Sequence, residues 1–120
     1  MRRLEVRKYL FDIAKACSLL SRFTAGKTLA EYSNDPLLRS AVERQFEIIG
    51  EALRHAVDLD PELGGRVTHA GRIIGFRNRL IHGYATVSDE VVWGVLESAL
   101  PTLRKEIEAL LQEETDRDVL

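Results

Sequence analysis

Apolar residues recur along most of this chain at steps of three and four, the spacing that lines one face of an α-helix. Val6, Leu10, Ile13, Cys17 and Leu20 form the first such stripe. It predicts a helix over about residues 4–23, with Gly26 suited to the left-handed position just past its end. Residues 27–34 are polar and predict a loop with short helical character. Asp35-Pro36 marks the next start: the carboxylate can accept hydrogen bonds from free amides, and proline fits the first helical position, where its missing N–H costs nothing. Leu38, Val42, Phe46, Ile49, Leu53 and Ala56 carry this second helix to about residue 57. Ile48 and Ala52 widen its apolar side, so it can touch two neighbours. Gly50 sits in its interior, where glycine costs about 1 kcal/mol against alanine; close approach of another backbone would account for it.

Residues 58–65, with Pro61 and Gly64-Gly65, form a turn-rich connection. Thr68 is the candidate cap of a third helix running through Ile73, Ile74, Phe76 and Leu80 to about His82, where Gly83 stops it. Ser88 followed by Asp89 and Glu90 opens the next, a hydroxyl cap with acids at the positive end of the helix dipole. Its stripe is Val92, Leu96, Ala99, Leu103, Ile107 and Leu110, and Pro101 is expected to kink or split it near residues 99–100. From Glu113 the sequence is acidic and expected to fray. No segment alternates as a strand would, and no internal repeat is present. The pattern predicts an all-α fold: an antiparallel bundle of four long helices, five if divided at Pro101. One domain spans residues 1–120, with a core over about 4–112 and a tail at 113–120.

Composition narrows the function. A length of 120 residues supports one core, not two. The net charge of −2 argues against a generally cationic coat, so any nucleic-acid contact has to use a local patch. The lone Cys17 rules out an internal disulfide and reads as a small buried apolar residue; no Cys/His spacing suits zinc. No apolar run approaches the ~20 residues needed to cross a bilayer, and charge interrupts the N-terminal residues where a signal peptide needs an apolar block. A cytoplasmic location without membrane contact is expected.

The local patch exists. From Leu63 to Ser88 there is no Asp or Glu, while Arg66, Arg72, Arg77 and Arg79 supply positive charge and His69 and His82 can add more. Its densest part is Arg77-Asn78-Arg79-Leu80-Ile81-His82-Gly83-Tyr84. Basic residues near a helix C-terminus have an ordinary explanation in the helix dipole, and four arginines facing water need no other. A catalytic reading needs geometry. Asn78 and His82 are four apart and share a helix face. Arg77 and His82 are five apart, about 140° around the axis. Three arrangements could still join them: Arg77 swings round, the helix loosens near Gly83, or a second subunit completes the site across a two-fold axis.

The missing carboxylates argue against a two-metal nuclease, and no glycine-rich phosphate loop is present. Histidine moves protons near neutral pH, and arginine binds phosphate through paired hydrogen bonds. Together they suit RNA cleavage without a metal or cofactor. His82 would take a proton from a ribose 2′-hydroxyl or give one to the leaving 5′-oxygen, and Arg77 would stabilise charge on the phosphoryl oxygens.

Arg77, four residues, His82, one residue, Tyr84 resembles the motif of HepT-type toxins in the HEPN superfamily of helical ribonucleases, and the polar Asn78 fits it. The likeness extends over Arg44-Gln45-Phe46-Glu47-Ile48-Ile49-Gly50-Glu51-Ala52, then residues 74–84, Val91-Val92-Trp93 and Leu100-Pro101, about residues 8–112 in all. It implies a HEPN-like fold and a homodimeric endoribonuclease toxin, with Arg77 and His82 as the catalytic pair, Asn78 supporting them, and a purely electrostatic role for Arg79. It further implies a toxin–antitoxin pair with an MntA-like minimal nucleotidyltransferase, which attaches AMP to the residue matching Tyr84. A bulky anionic adduct there would block the site. Two readings compete: a non-catalytic helical subunit that binds a nucleotide or partner within a nucleotidyltransferase complex, and a purely structural helical dimer. His55 and His69 read as surface or polar-network histidines, Trp93 as core or interface, and Glu47 and Glu51 as a solvated face, with a salt bridge from one of them to a motif arginine left open.

Overall fold

The widest apolar stripe, on the second predicted helix, becomes the axis on which the others are laid. A computed structural model of the chain describes residues 2–83 and 87–119, and among these every regular element is an α-helix. In order they are α1 (Arg2–Thr24), α2 (Leu29–Ser33), α3 (Pro36–Leu59), α4 (Leu63–Arg66), α5 (Ala70–His82), α6 (Asp89–Ser98) and α7 (Leu100–Val119). α1 and α5 both pack along α3, while α7 closes against α1 and α6. Leu10, Ile13, Cys17 and Leu20 of α1, Val42, Ile49 and Leu53 of α3, and Ile107 of α7 share one sealed core. Burial pushes the Cys17 thiol up to about 12, so it is a packing residue rather than a nucleophile.

The punctuation follows the chemistry of the sequence. Asp35 accepts a hydrogen bond from the Leu38 N–H at 3.1 Å, and Ser88 accepts one from the Val91 N–H at 3.2 Å. Gly26 takes φ +70° after α1. The last long stripe does divide: α6 ends at Ser98 and α7 begins at Leu100, placing Pro101 in a first turn where it displaces no hydrogen bond.

The polar stretch after α1 has the expected short helical character as α2, opened by a capping box in which Thr28 and Glu31 bond each other's backbone N–H, and it buries Tyr32 against Trp93, ring centroids 5.5 Å apart. Three local expectations change. The turn-rich connection holds the single turn α4. Thr68 does not cap α5; its N–H and hydroxyl donate to Glu106 of α7 at 3.0 and 2.7 Å, and His69, at φ +57°, precedes the helix instead. Nor does the chain fray at Glu113. α7 continues to Val119, and Glu114 pairs with Arg3 of α1 at 3.0 Å and with Arg117 at 3.2 Å. Among the described residues no helix is long and apolar enough to cross a membrane.

Chemical denaturation separates these contributions. Leu53→Ala is expected to cost about 2–5 kcal/mol, as a fully buried leucine leaves a cavity. Asp35→Ala should cost about 1 kcal/mol through loss of a cap, and Leu37→Ala, at an exposed position, should be close to neutral.

Candidate active site

A side chain is absent where α3 and α5 come closest. A Cβ built on Gly50 would lie 2.2 Å from the Arg77 Cβ and 2.8 Å from its Cγ, so only glycine lets the Arg77 stem rest on α3. That accounts for glycine within a helix. The neighbouring residue then receives the charge: Arg77 Nη2 lies 2.7 Å from Glu51 Oε2, with the side chains 22% and 36% exposed. The other oxygen, Glu51 Oε1, is shared by Arg54 Nη2 at 2.9 Å and His55 Nε2 at 2.8 Å. His55 in turn stacks on Tyr9 of α1, ring centroids 5.1 Å apart and planes 17° apart. On its far side Arg77 Nη1 donates to Asn78 Oδ1 at 2.9 Å. Tyr9, Asp12, Glu47, Glu51, His55 and Arg77 line a cavity of about 200 Å³.

The hydrogen bond from Arg54, then the nearby charges of Arg77 and Arg54 and the bond to His55, hold the Glu51 carboxyl below the ordinary glutamate range, against the opposing effect of burial. Glu51 therefore stays ionised at any pH near neutrality. Glu47, the other acid considered from sequence, pairs with Arg44 at 3.5 Å.

His82 stands apart from this network. It is the exposed last residue of α5 and makes no hydrogen bond or ion pair among the described residues. The helix does not loosen before it, since the Gly83 N–H still donates to the Arg79 carbonyl at 2.8 Å. Arg77 turns toward α3, while His82 lies on the face of Asn78. The structure thus brings Arg77 and Asn78 together and leaves His82 outside their cavity within one chain. Tyr84 lies outside the described residues.

Charge in the acid-free window is partly neutralised from elsewhere in the chain. Glu113 pairs with Arg66 and Glu51 with Arg77. Arg72 and Arg79, both exposed, form no ion pair among the described residues. They flank a larger groove of about 640 Å³ between α5 and α6–α7, walled by Phe46, Ile73, Phe76, Val91, Val95 and Leu103. Among the described residues no group of three or more His, Cys, Asp or Glu is placed to hold a metal ion.

Of the two acids for which the sequence leaves a salt bridge to a motif arginine open, Glu51 makes it. The sequence motif missed His55 and Tyr9, and the glycine directly before Glu51 is the signal that favours it over Glu47. Gly50→Ala should displace Arg77 and destabilise the fold by about 1–3 kcal/mol, read as a lower denaturation midpoint. Acid unfolding gives a second check. Because the folded-state value of Glu51 is depressed, its contribution is full above the unfolded value near 4.3 and is lost as pH falls through the lower folded value. Glu51→Gln should therefore remove part of the acid-induced loss of stability below about pH 4.3.

Comparison with known proteins finds relatives over most of the chain. A family model described as ribonuclease HepT-like matches residues 13–65 and 68–110. A protein of Caldanaerobacter subterraneus named as an RNase is 32% identical over 108 residues, covering 90% of this chain and 96% of that one. A Methanocaldococcus jannaschii protein, also named as an RNase, is 32% identical over 108 residues, covering 90% and 98%. A Thermococcus cleftensis protein named as ribonuclease HepT is 32% identical over 108 residues, covering 87% and 94%. No solved structure matches the chain.

Proposed function

Because the chain belongs to the HepT-like ribonuclease family and is by that membership an RNA-cleaving enzyme, we propose that it is a metal-independent endoribonuclease acting as a homodimer in the cytoplasm. Arg77 and His82 form its catalytic pair and Asn78 supports them. One His82 takes the proton of a ribose 2′-hydroxyl. The freed oxygen attacks phosphorus, the bond to the 5′-oxygen breaks, and that oxygen leaves with a proton from water. The products are a 2′,3′-cyclic phosphate and a 5′-hydroxyl. Arg77 meets the charge that develops on the phosphoryl oxygens.

The observation that carries this reading is the contrast between the two residues: an arginine fixed between α3 and Asn78, and a histidine at the end of the same helix with no partner among the described residues. Of the three ways of joining them, a second subunit suits that contrast best. The apolar groove beside α5 and the open faces of Gly71, Gly75 and Gly94 give a twin chain room to approach. Arg79, exposed one turn before His82, adds attraction for phosphate. The same reading makes the protein the toxin of a toxin–antitoxin pair, silenced by an MntA-like nucleotidyltransferase that attaches AMP to Tyr84, two residues after the proposed base.

Purified protein shown by mass spectrometry to carry no AMP should cut RNA in EDTA and leave cyclic phosphate ends. His82→Ala and Arg77→Ala should each lower cleavage by about 100-fold or more. Mixed and reassembled, the two inactive variants should regain on the order of a quarter of wild-type activity, because half the dimers are mixed and each of those holds one intact site. Intact RNA at enzyme excess would falsify the nuclease reading. A mixture as inactive as its components would show that the pair does not work across two chains.

A further inference from the structure

We infer that Glu51 is the positioning residue for Arg77, fixing its guanidinium within the site and being itself fixed by Arg54, His55 and Tyr9. The inference rests on the nuclease reading for its catalytic consequence, though not for its geometry. An arginine side chain has several rotatable bonds, and on α5 its backbone faces about 140° away from that of His82. Where its charge ends up is decided by what receives it. The stem is laid on the backbone of α3 by the gap at Gly50, and Glu51, one residue further, meets the terminal nitrogen at 2.7 Å.

The carboxylate divides its work by oxygen. Oε1 is occupied by Arg54 and His55, while Oε2, among the described residues, faces Arg77 alone. His55 is fixed from behind by the ring of Tyr9, so three helices determine where the Glu51 carboxylate stands. Around it the charged and titratable groups are Tyr9 and Asp12 from α1, Arg44, Glu47, Arg54 and His55 from α3, and Arg77 from α5. This is not the loose pairing of two surface chains. It is a contact between helices, partly enclosed, in which two buried atoms, Arg77 Nε and Glu51 Oε2, have no aligned hydrogen bond among the described residues.

The guanidinium keeps what a phosphate requires. Glu51 engages Nη2 and Asn78 engages Nη1, each by one contact. Every terminal nitrogen carries two N–H groups, so one on each is left to reach a phosphoryl oxygen in the bidentate manner typical of arginine. The acid thus orients the cation without using up its donors.

The test uses the full chain in two measurements. In side-chain spectra of ¹⁵N-arginine-labelled protein, the Arg77 Nε–H signal is assigned by its loss in Arg77→Lys. Glu51→Gln, which keeps the shape and removes the charge, should move or broaden that signal while leaving helicity unchanged. In RNA cleavage the same variant should lower kcat by about 10–100-fold with KM close to wild type, as expected for a misplaced catalytic group rather than a lost binding contact. His55→Gln should show a smaller loss of the same kind. An unchanged Arg77 signal and wild-type kcat in Glu51→Gln, with Arg77→Ala inactive, would overturn the inference and leave the nuclease reading standing. If the wild-type chain cuts no RNA, that reading fails, and the Arg77 signal still decides whether Glu51 holds the guanidinium.

Discussion

Two helices can approach to backbone contact only where one of them lacks a side chain, and here that place is Gly50. The closeness of α3 and α5 at this point puts the Arg77 stem against the α3 backbone and delivers its charge to the adjacent carboxylate. The rest of the site follows from that constraint. Asn78 is carried onto the outer face of α5, His82 is left at the helix end, and the cavity beside Arg77 is closed by α1 through Tyr9. Glycine is locally unfavourable in a helix, so its position is best understood through the contact it permits.

Much of the architecture was readable from spacing because it depends on short-range rules. The stripes of α1 and α3 needed only period and burial, and Asp35, Ser88, Gly26 and Pro101 act on amides or dihedral angles within a few residues of themselves. What was not readable depends on residues far apart in the chain. Thr68 has the composition of a cap, yet Glu106, 38 residues later, takes both of its donors. The acidic end has the composition of a frayed tail, yet Arg3 and Arg66 hold carboxylates of α7. Glu51 reads from sequence as a solvated position with a salt bridge to a motif arginine left open, and His55 as a surface or polar-network residue; their partners become definite only with α1 and α5 beside them.

The same distinction applies to charge. A window without a carboxylate in sequence suggests four free arginines, but folding brings Glu51 and Glu113 to two of them. What is left is more selective: Arg72 and Arg79 along one edge of α5, with a partly masked Arg77 behind. A chain whose net charge is −2 can therefore present a confined positive surface without general affinity for polyanions.

One consequence lies at the other end of the working helix. Residues just before α5 are tied to α7 twice, through Thr68 to Glu106 and through Arg66 to Glu113. The C-terminal helix is thus a brace: a chain cut short before position 106 would lose both struts at once, and the segment that carries Arg77 and His82 would lose these two ties to α7 at its base.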